Sequence, residues 1–205
     1  MKALFISLLL LPLTAIAGLD DDVRGLQNEW AEIKYRRPAA EQEKAFATLT
    51  KDAEAVRGRY AGRAEPQIWY GIIAASYAGA RGGLGALSLA KDAKKAFEQA
   101  LELDPKALDG SAYTSLGSLY YQVPGWPISF GSDDKARELL EKALALNPDG
   151  LDSNYFYGDF LYRKGDHAGA RRALQKALSA PPRPGRALAD EGRRKEIESL
   201  LAAMR

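Results

Sequence analysis

The sequence contains no cysteine and a single histidine, His167. Without thiolates there is no disulfide, no cysteine nucleophile and no Cys-based zinc or iron–sulfur site. One imidazole also excludes a multi-histidine metal site within the chain. An excess of one charge is missing too. The 29 Lys+Arg and 27 Asp+Glu leave a net charge of +2, which gives no bulk reason to attract nucleic acid. After the first residues no apolar run is long enough to span a membrane. Gly (19) and Pro (10) are near ordinary abundance, which excludes collagen-like and low-complexity classes. No alternation at period two lasts long enough to argue for a strand. What remains is a chain of 205 residues, 46% apolar and 27% charged, a composition that suits a packed core.

Met1-Lys2 is a short basic start, and Ala3 to Leu13 is apolar apart from Ser7 and Pro12. Ala15-Ile16-Ala17 is an A-x-A cleavage pattern followed by Gly18. Residues 1–17 therefore read as a cleavable signal peptide, and the expected location is the periplasm, soluble after cleavage. An uncleaved anchor is the alternative reading. No cysteine at the cleavage point means no lipoprotein modification. Export without disulfides leaves the core to be held by packing alone.

Residues 18–205 read as a single all-helical domain. Leu26, Trp30 and Ile33 predict a helix over about 21–36, and Phe46, Leu49, Ala53 and Val56 a second after Pro38. Ile68, Trp69, Ile72 and Ile73 predict a third from Pro66. Further helices are expected at 86–103, 108–122, from Ser132 or Asp133 to Asn147, and at 152–164, 166–179 and 186–203. The glycines from Gly79 to Gly85 predict a flexible loop, and Pro124-Gly125-Trp126-Pro127 cannot continue a helix.

A repeat runs through these helices. Ala93, Phe97, Ala100 and Pro105 recur with identical spacing as Ala136, Leu140, Ala143 and Pro148, and again as Ala170, Leu174, Ala177 and Pro182. The last two prolines are 34 residues apart and the first two 43. Small residues allow paired helices to approach, the large one fills the groove, and proline closes the unit. With Gly158 on the preceding helix, this pattern resembles the tetratricopeptide repeat over residues 66–182. The resemblance implies an all-α, tetratricopeptide-like right-handed helical solenoid with expanded intra-repeat loops. A degenerate helical pair at 18–65 would precede the repeats, and 183–205 would supply a C-terminal capping helix.

Gly158 and Ala170 keep the family's 12-residue spacing, whereas Gly117 and Ala136 are 19 apart. Seven extra residues thus enter near Val123 to Gly131, and two more near Leu108 to Gly110. A comparable expansion separates Gly71 from Ala93. Gly110, the run Leu116 to Tyr120, Pro124, Pro127, Phe130-Gly131, Lys135-Ala136 and Glu141 to Leu144 together resemble the T component of TRAP transporters. That resemblance implies a protein partner, a periplasmic solute-binding protein, and an apolar ligand during uptake.

In the repeat family, helix A lines a concave groove. Registering Leu151 first places Asp152, Tyr155, Asp159 and Tyr162 there. Gly117 brings Thr114, Ser118 and Tyr121, and Gly71 brings Ile68, Ile72 and Ala75. Tyrosine supplies contact area with a polar handle and little entropy to lose. Packing between helices is the other reading of Tyr155 and Tyr162. Phe156 and Tyr157 read as core. Trp126 and Phe130, on the stiffened loop 123–132, are candidates for a lid, a plug over a helix pair or an oligomer contact. Arg81 to Gly85 could form an anion nest but does not match a phosphate loop.

No nucleophile setting, metal-ligand spacing or catalytic carboxylate pair emerges, and no cofactor is expected. His167 sits at an expected helix connector, and Asp20-Asp21-Asp22 lacks the EF-hand pattern. Arg183, Arg186, Arg193, Arg194 and Lys195, interleaved with acids, read as the solvated face of a capping helix or a contact to anionic lipid. The function expected is a non-enzymatic periplasmic binding or adaptor protein with a protein partner. Its alternatives are a carrier of an apolar ligand inside the solenoid, or an oligomeric envelope scaffold. No nucleic acid is expected.

Overall fold

The structure, a computed structural model, describes residues 13–204. The segment read as a signal peptide, 1–17, lies outside the described residues except for the backbone of 13–17. Among the described residues there are nine helices and no strand. They are α1 (Leu13–Arg36), α2 (Ala39–Arg59), α3 (Ala64–Arg81), α4 (Gly83–Leu103), α5 (Ala107–Gln122), α6 (Asp133–Leu146), α7 (Leu151–Arg163), α8 (His167–Leu178) and α9 (Ala187–Ala203). No helix among these residues is long and apolar enough to cross a membrane.

Three antiparallel hairpins, α3–α4, α5–α6 and α7–α8, carry the repeat. Ala93, Phe97 and Ala100 and their counterparts Ala136, Leu140, Ala143, Ala170, Leu174 and Ala177 are all fully buried, each at 0% exposure. Each large member faces a glycine on the preceding helix. A methyl group at Gly71 would lie 2.5 Å from the Phe97 ring, one at Gly117 2.9 Å from Leu140, and one at Gly158 2.8 Å from Leu174. Only glycine permits this approach, so the three hairpins share one register despite their different spacing. Burying a side chain such as Leu140 or Leu174 contributes about 2 kcal/mol.

The insertions are absorbed in different ways. The flexible loop expected at 79–85 does not form. Gly82 and Gly83, at φ 64° and 62°, reverse the chain at one junction, and the extra residues lengthen α3 and α4 instead. The two residues near Leu108 to Gly110 form a left-handed turn, with φ of 49°, 55° and 75°, at the start of α5. The seven-residue insertion is an ordered loop. In it Ile128 N–H and Ser129 N–H donate to the Gly125 carbonyl, and Gly131 N–H donates to that of Pro124. Ser132 then caps α6, its hydroxyl accepting from Lys135 N–H at 3.3 Å.

Helix α9 covers α7 and α8 as a capping helix should. It also reaches back to α1. Gly192 lies against the Tyr35 ring, whose hydroxyl donates to Glu196 at 3.4 Å, and Lys34 pairs with Glu196 at 3.6 Å. The first and last helices therefore touch, and the open groove expected from the repeat is a flanked chamber.

Candidate functional site

Helices α1, α3, α5 and α7, with the turn at 180–186 and α9, surround a cavity of about 940 Å³. Thr114, Ser118, Asp152, Tyr155 and Asp159 line it together, as do Ile72 and Ala75. Ile68 does not; it is fully buried between hairpins beside Ala100 and Ala112. Tyr121 and Tyr162, in the last turns of their helices, do not line the cavity; both pack against the core around Leu140 and Phe160. The Tyr121 hydroxyl donates to Asp159 at 2.7 Å, and Arg163 Nε donates to the same oxygen at 3.1 Å. Burial, then the Asp159 charge, pushes the Tyr121 hydroxyl well above its ordinary pKa, which keeps it a donor. Tyr162 packs edge-on against His167, 5.3 Å between centroids, and His167 itself is exposed. Phe156, expected in the core, lines the chamber under Arg193; Tyr157 packs with the α6–α7 core.

The loop residues are neither lid nor plug. Trp126 is 89% exposed and Ile128 64%, and neither lines the chamber. Phe130 anchors the loop instead, edge-on to Tyr120 at 5.5 Å.

The basic cluster is the main correction to the sequence reading. Its arginines are not a solvated face. Arg193 is 9% exposed and donates to Asp152 at 2.8 Å and to Glu196 at 2.5 Å. Arg183 donates to Asp152 at 2.6 Å and to Asp190 at 2.7 Å. Arg194 donates to the carbonyls of Leu178 and Ala180, tying α9 to the end of α8. Burial alone would raise the Asp152 carboxyl, but Arg193 and Arg183 outweigh it and hold the carboxyl well below the usual range. These partners are 31 and 41 residues from Asp152 in sequence, so local charge alternation carried no sign of them.

Aromatic residues of α1 and α3 continue the wall. Trp30 stands 5.7 Å from Tyr35 and 6.0 Å from Trp69, and its indole N–H donates to Ser76 at 2.8 Å. The Arg186 guanidinium lies 4.9 Å above the Trp69 ring. Helical spacing put Trp69 and Ile68 on an apolar face; both are buried, and Trp69 borders the chamber whereas Ile68 does not. No group of three or more potential metal ligands occurs among the described residues. Asp22 instead accepts from Arg59 and from Tyr60, the latter at 3.0 Å.

Residues 134–189 and, separately, 86–107 match the tetratricopeptide repeat family. No curated protein matches the chain. Among solved structures, two crystal structures of MamA are similar. One has 21% identity over 83% of this chain and 94% of that one, the other 19% over 90% and 91%, both at a TM-score of 0.46. PilF of Pseudomonas aeruginosa is similar at 14% identity over 91% and 90%, with a TM-score of 0.38. These overlaps are loose; the repeat assignment rests on the family matches and on the shared glycine contacts. The chain is thus a tetratricopeptide-like helical solenoid, with tetratricopeptide repeats matched at 86–107 and 134–189.

Proposed function

We propose that this chain is a non-enzymatic, exported adaptor that meets a protein partner through the loop between α5 and α6. Tetratricopeptide repeats are protein-interaction scaffolds. The observation that carries the reading is Trp126, 89% exposed on a loop fixed by its own hydrogen bonds and by Phe130. A large aromatic exposed to water on a backbone that is already ordered is the kind of group that anchors an interface. The signal pattern at 1–17 supports a periplasmic setting. The resemblance of this loop to TRAP T components supports a solute-binding protein of an uptake system as the partner. Trp126→Ala, in a chain with unchanged circular dichroism, is expected to lose at least tenfold in crosslinked capture of that partner from intact envelopes. Unchanged capture sinks the proposal, and loss of self-association in sedimentation instead favours the oligomeric scaffold.

The chamber favours a second reading alongside the first, a small-ligand carrier. Its volume of about 940 Å³ is in the range of small-molecule sites. Its wall combines Trp30, Trp69 and Ile72 with charged groups, so its ligand would carry a polar head as well as an apolar body.

A further inference from the structure

The carboxylates of Asp152, Asp190 and Glu196, in and beside the charged wall of the chamber, already have partners. Asp152 takes Arg183 and Arg193; Asp190 takes the Arg183 side chain and backbone N–H; Glu196 takes Arg193, Tyr35 and Lys34. Arg186 takes part in none of these pairs. Its Nε is buried with no hydrogen-bond partner, and so are Nη2 of Arg183 and Nε1 of Trp69. All three residues line the chamber. Leaving buried donors of this kind unpaired is unfavourable, most of all for a charged group. Burial, then the neighbouring Arg183 charge, lowers the pKa of Arg186; the charges of Asp152 and Asp190 act the other way without outweighing them.

We infer that Arg186, with Arg183 beside it and Trp69 beneath it, is the anion-binding end of the chamber and takes a small organic carboxylate with a flat apolar body. A guanidinium offers a planar fork that matches a carboxylate in two parallel hydrogen bonds. Stacking on Trp69 holds that fork in place without using its donors. The Trp30–Trp69 pair, 6.0 Å apart, continues the wall away from the charge and gives the apolar body a surface. The inference deepens the carrier reading and rests on it.

Isothermal titration with two probes of equal shape separates the two claims. Against the purified chain, 4-phenylbutyrate is expected to bind at least tenfold more tightly than 4-phenylbutanamide, with quenching of tryptophan fluorescence. Arg186→Gln should bring the acid down to the affinity of the amide and leave the amide unchanged. Arg186→Lys, which keeps the charge but loses the fork, should fall between them. Because Arg186 has no carboxylate partner, its variants should melt as the parent does; if one does not fold, the comparison of the two probes on the parent chain still decides. Equal binding of acid and amide overturns the anion site and leaves the carrier reading standing. Acid binding that survives Arg186→Gln in a folded chain overturns the role of Arg186. Absence of binding by either probe overturns the site and the carrier reading together.

Discussion

The α7–α8 hairpin and the seam between α9 and α1 join helices by opposite means. In the hairpin, Gly158 admits Leu174, and Ala170 and Ala177 complete a dry contact with no polar atom to satisfy. At the seam, Tyr35, Lys34, Glu196 and Arg193 meet, and Arg193 carries the network on to Asp152 in α7. Apolar contacts of the first kind gain free energy in proportion to the area they bury. Charged contacts of the second kind recover little more than their desolvation cost, yet losing one partner strands the other. The hairpins thus supply stability, and the seam decides shape: it turns an open curved face into a flanked chamber.

The comparison breaks most severely at the apolar contact. Leu174→Ala should destabilise the chain by about 3–4 kcal/mol, since Leu174 is fully buried and helices packed through glycine cannot collapse onto the cavity. A thermal melt should fall by roughly 10 °C. A drop of only a degree or two would mean the repeat signature does not hold the fold. Asp152→Asn tests the charged side, and about 2 kcal/mol is expected, discounted because that carboxylate is a third exposed. The same group fixes a pH dependence. Its folded pKa is depressed below the ordinary 3.8, so its contribution is complete above that value and is lost as pH falls through the lower folded value. The gap between acid melts of the parent and of Asp152→Asn should narrow steadily as pH falls below 3.8; a gap of constant size would assign the loss to packing. The smallest effect on stability is expected from Gly192→Ala. Its new methyl would collide with the Tyr35 ring, while the helix gains about 1 kcal/mol from replacing glycine. Overpacking of about 1–3 kcal/mol set against that gain leaves a net loss of about 1 kcal/mol. Amide exchange across 187–203 should quicken, with α7–α8 unaffected. Quickened exchange in both regions would show that seam and hairpin are not separable.

What could be read in advance follows the same division. Ala136, Leu140 and Ala143 are fully buried because period and side-chain size alone dictate which helix face another helix can approach. The turn at Leu108 to Gly110 was legible as a two-residue excess. The expansion at Gly79–Gly85 was legible as a length but not as longer helices, because the glycines that suggested a loop serve as one sharp reversal. Trp126 was legible as a candidate, but its exposure was not, since Phe130 and Trp126 are equivalent until one packs on Tyr120. The inward arginines were illegible, because charge alternation on α9 is the same whether its partners are local or lie on α7.

The sequence by itself determined the helices, their pairing and the glycine-to-large-residue register that makes the hairpins stack, because these depend on near neighbours along the chain. Only the tertiary structure decided that α9 returns to α1, that Arg183 and Arg193 turn inward, and that Arg186 stays unpaired over Trp69. Those outcomes depend on groups far apart in sequence that meet only when the curvature accumulated over successive hairpins brings the ends together.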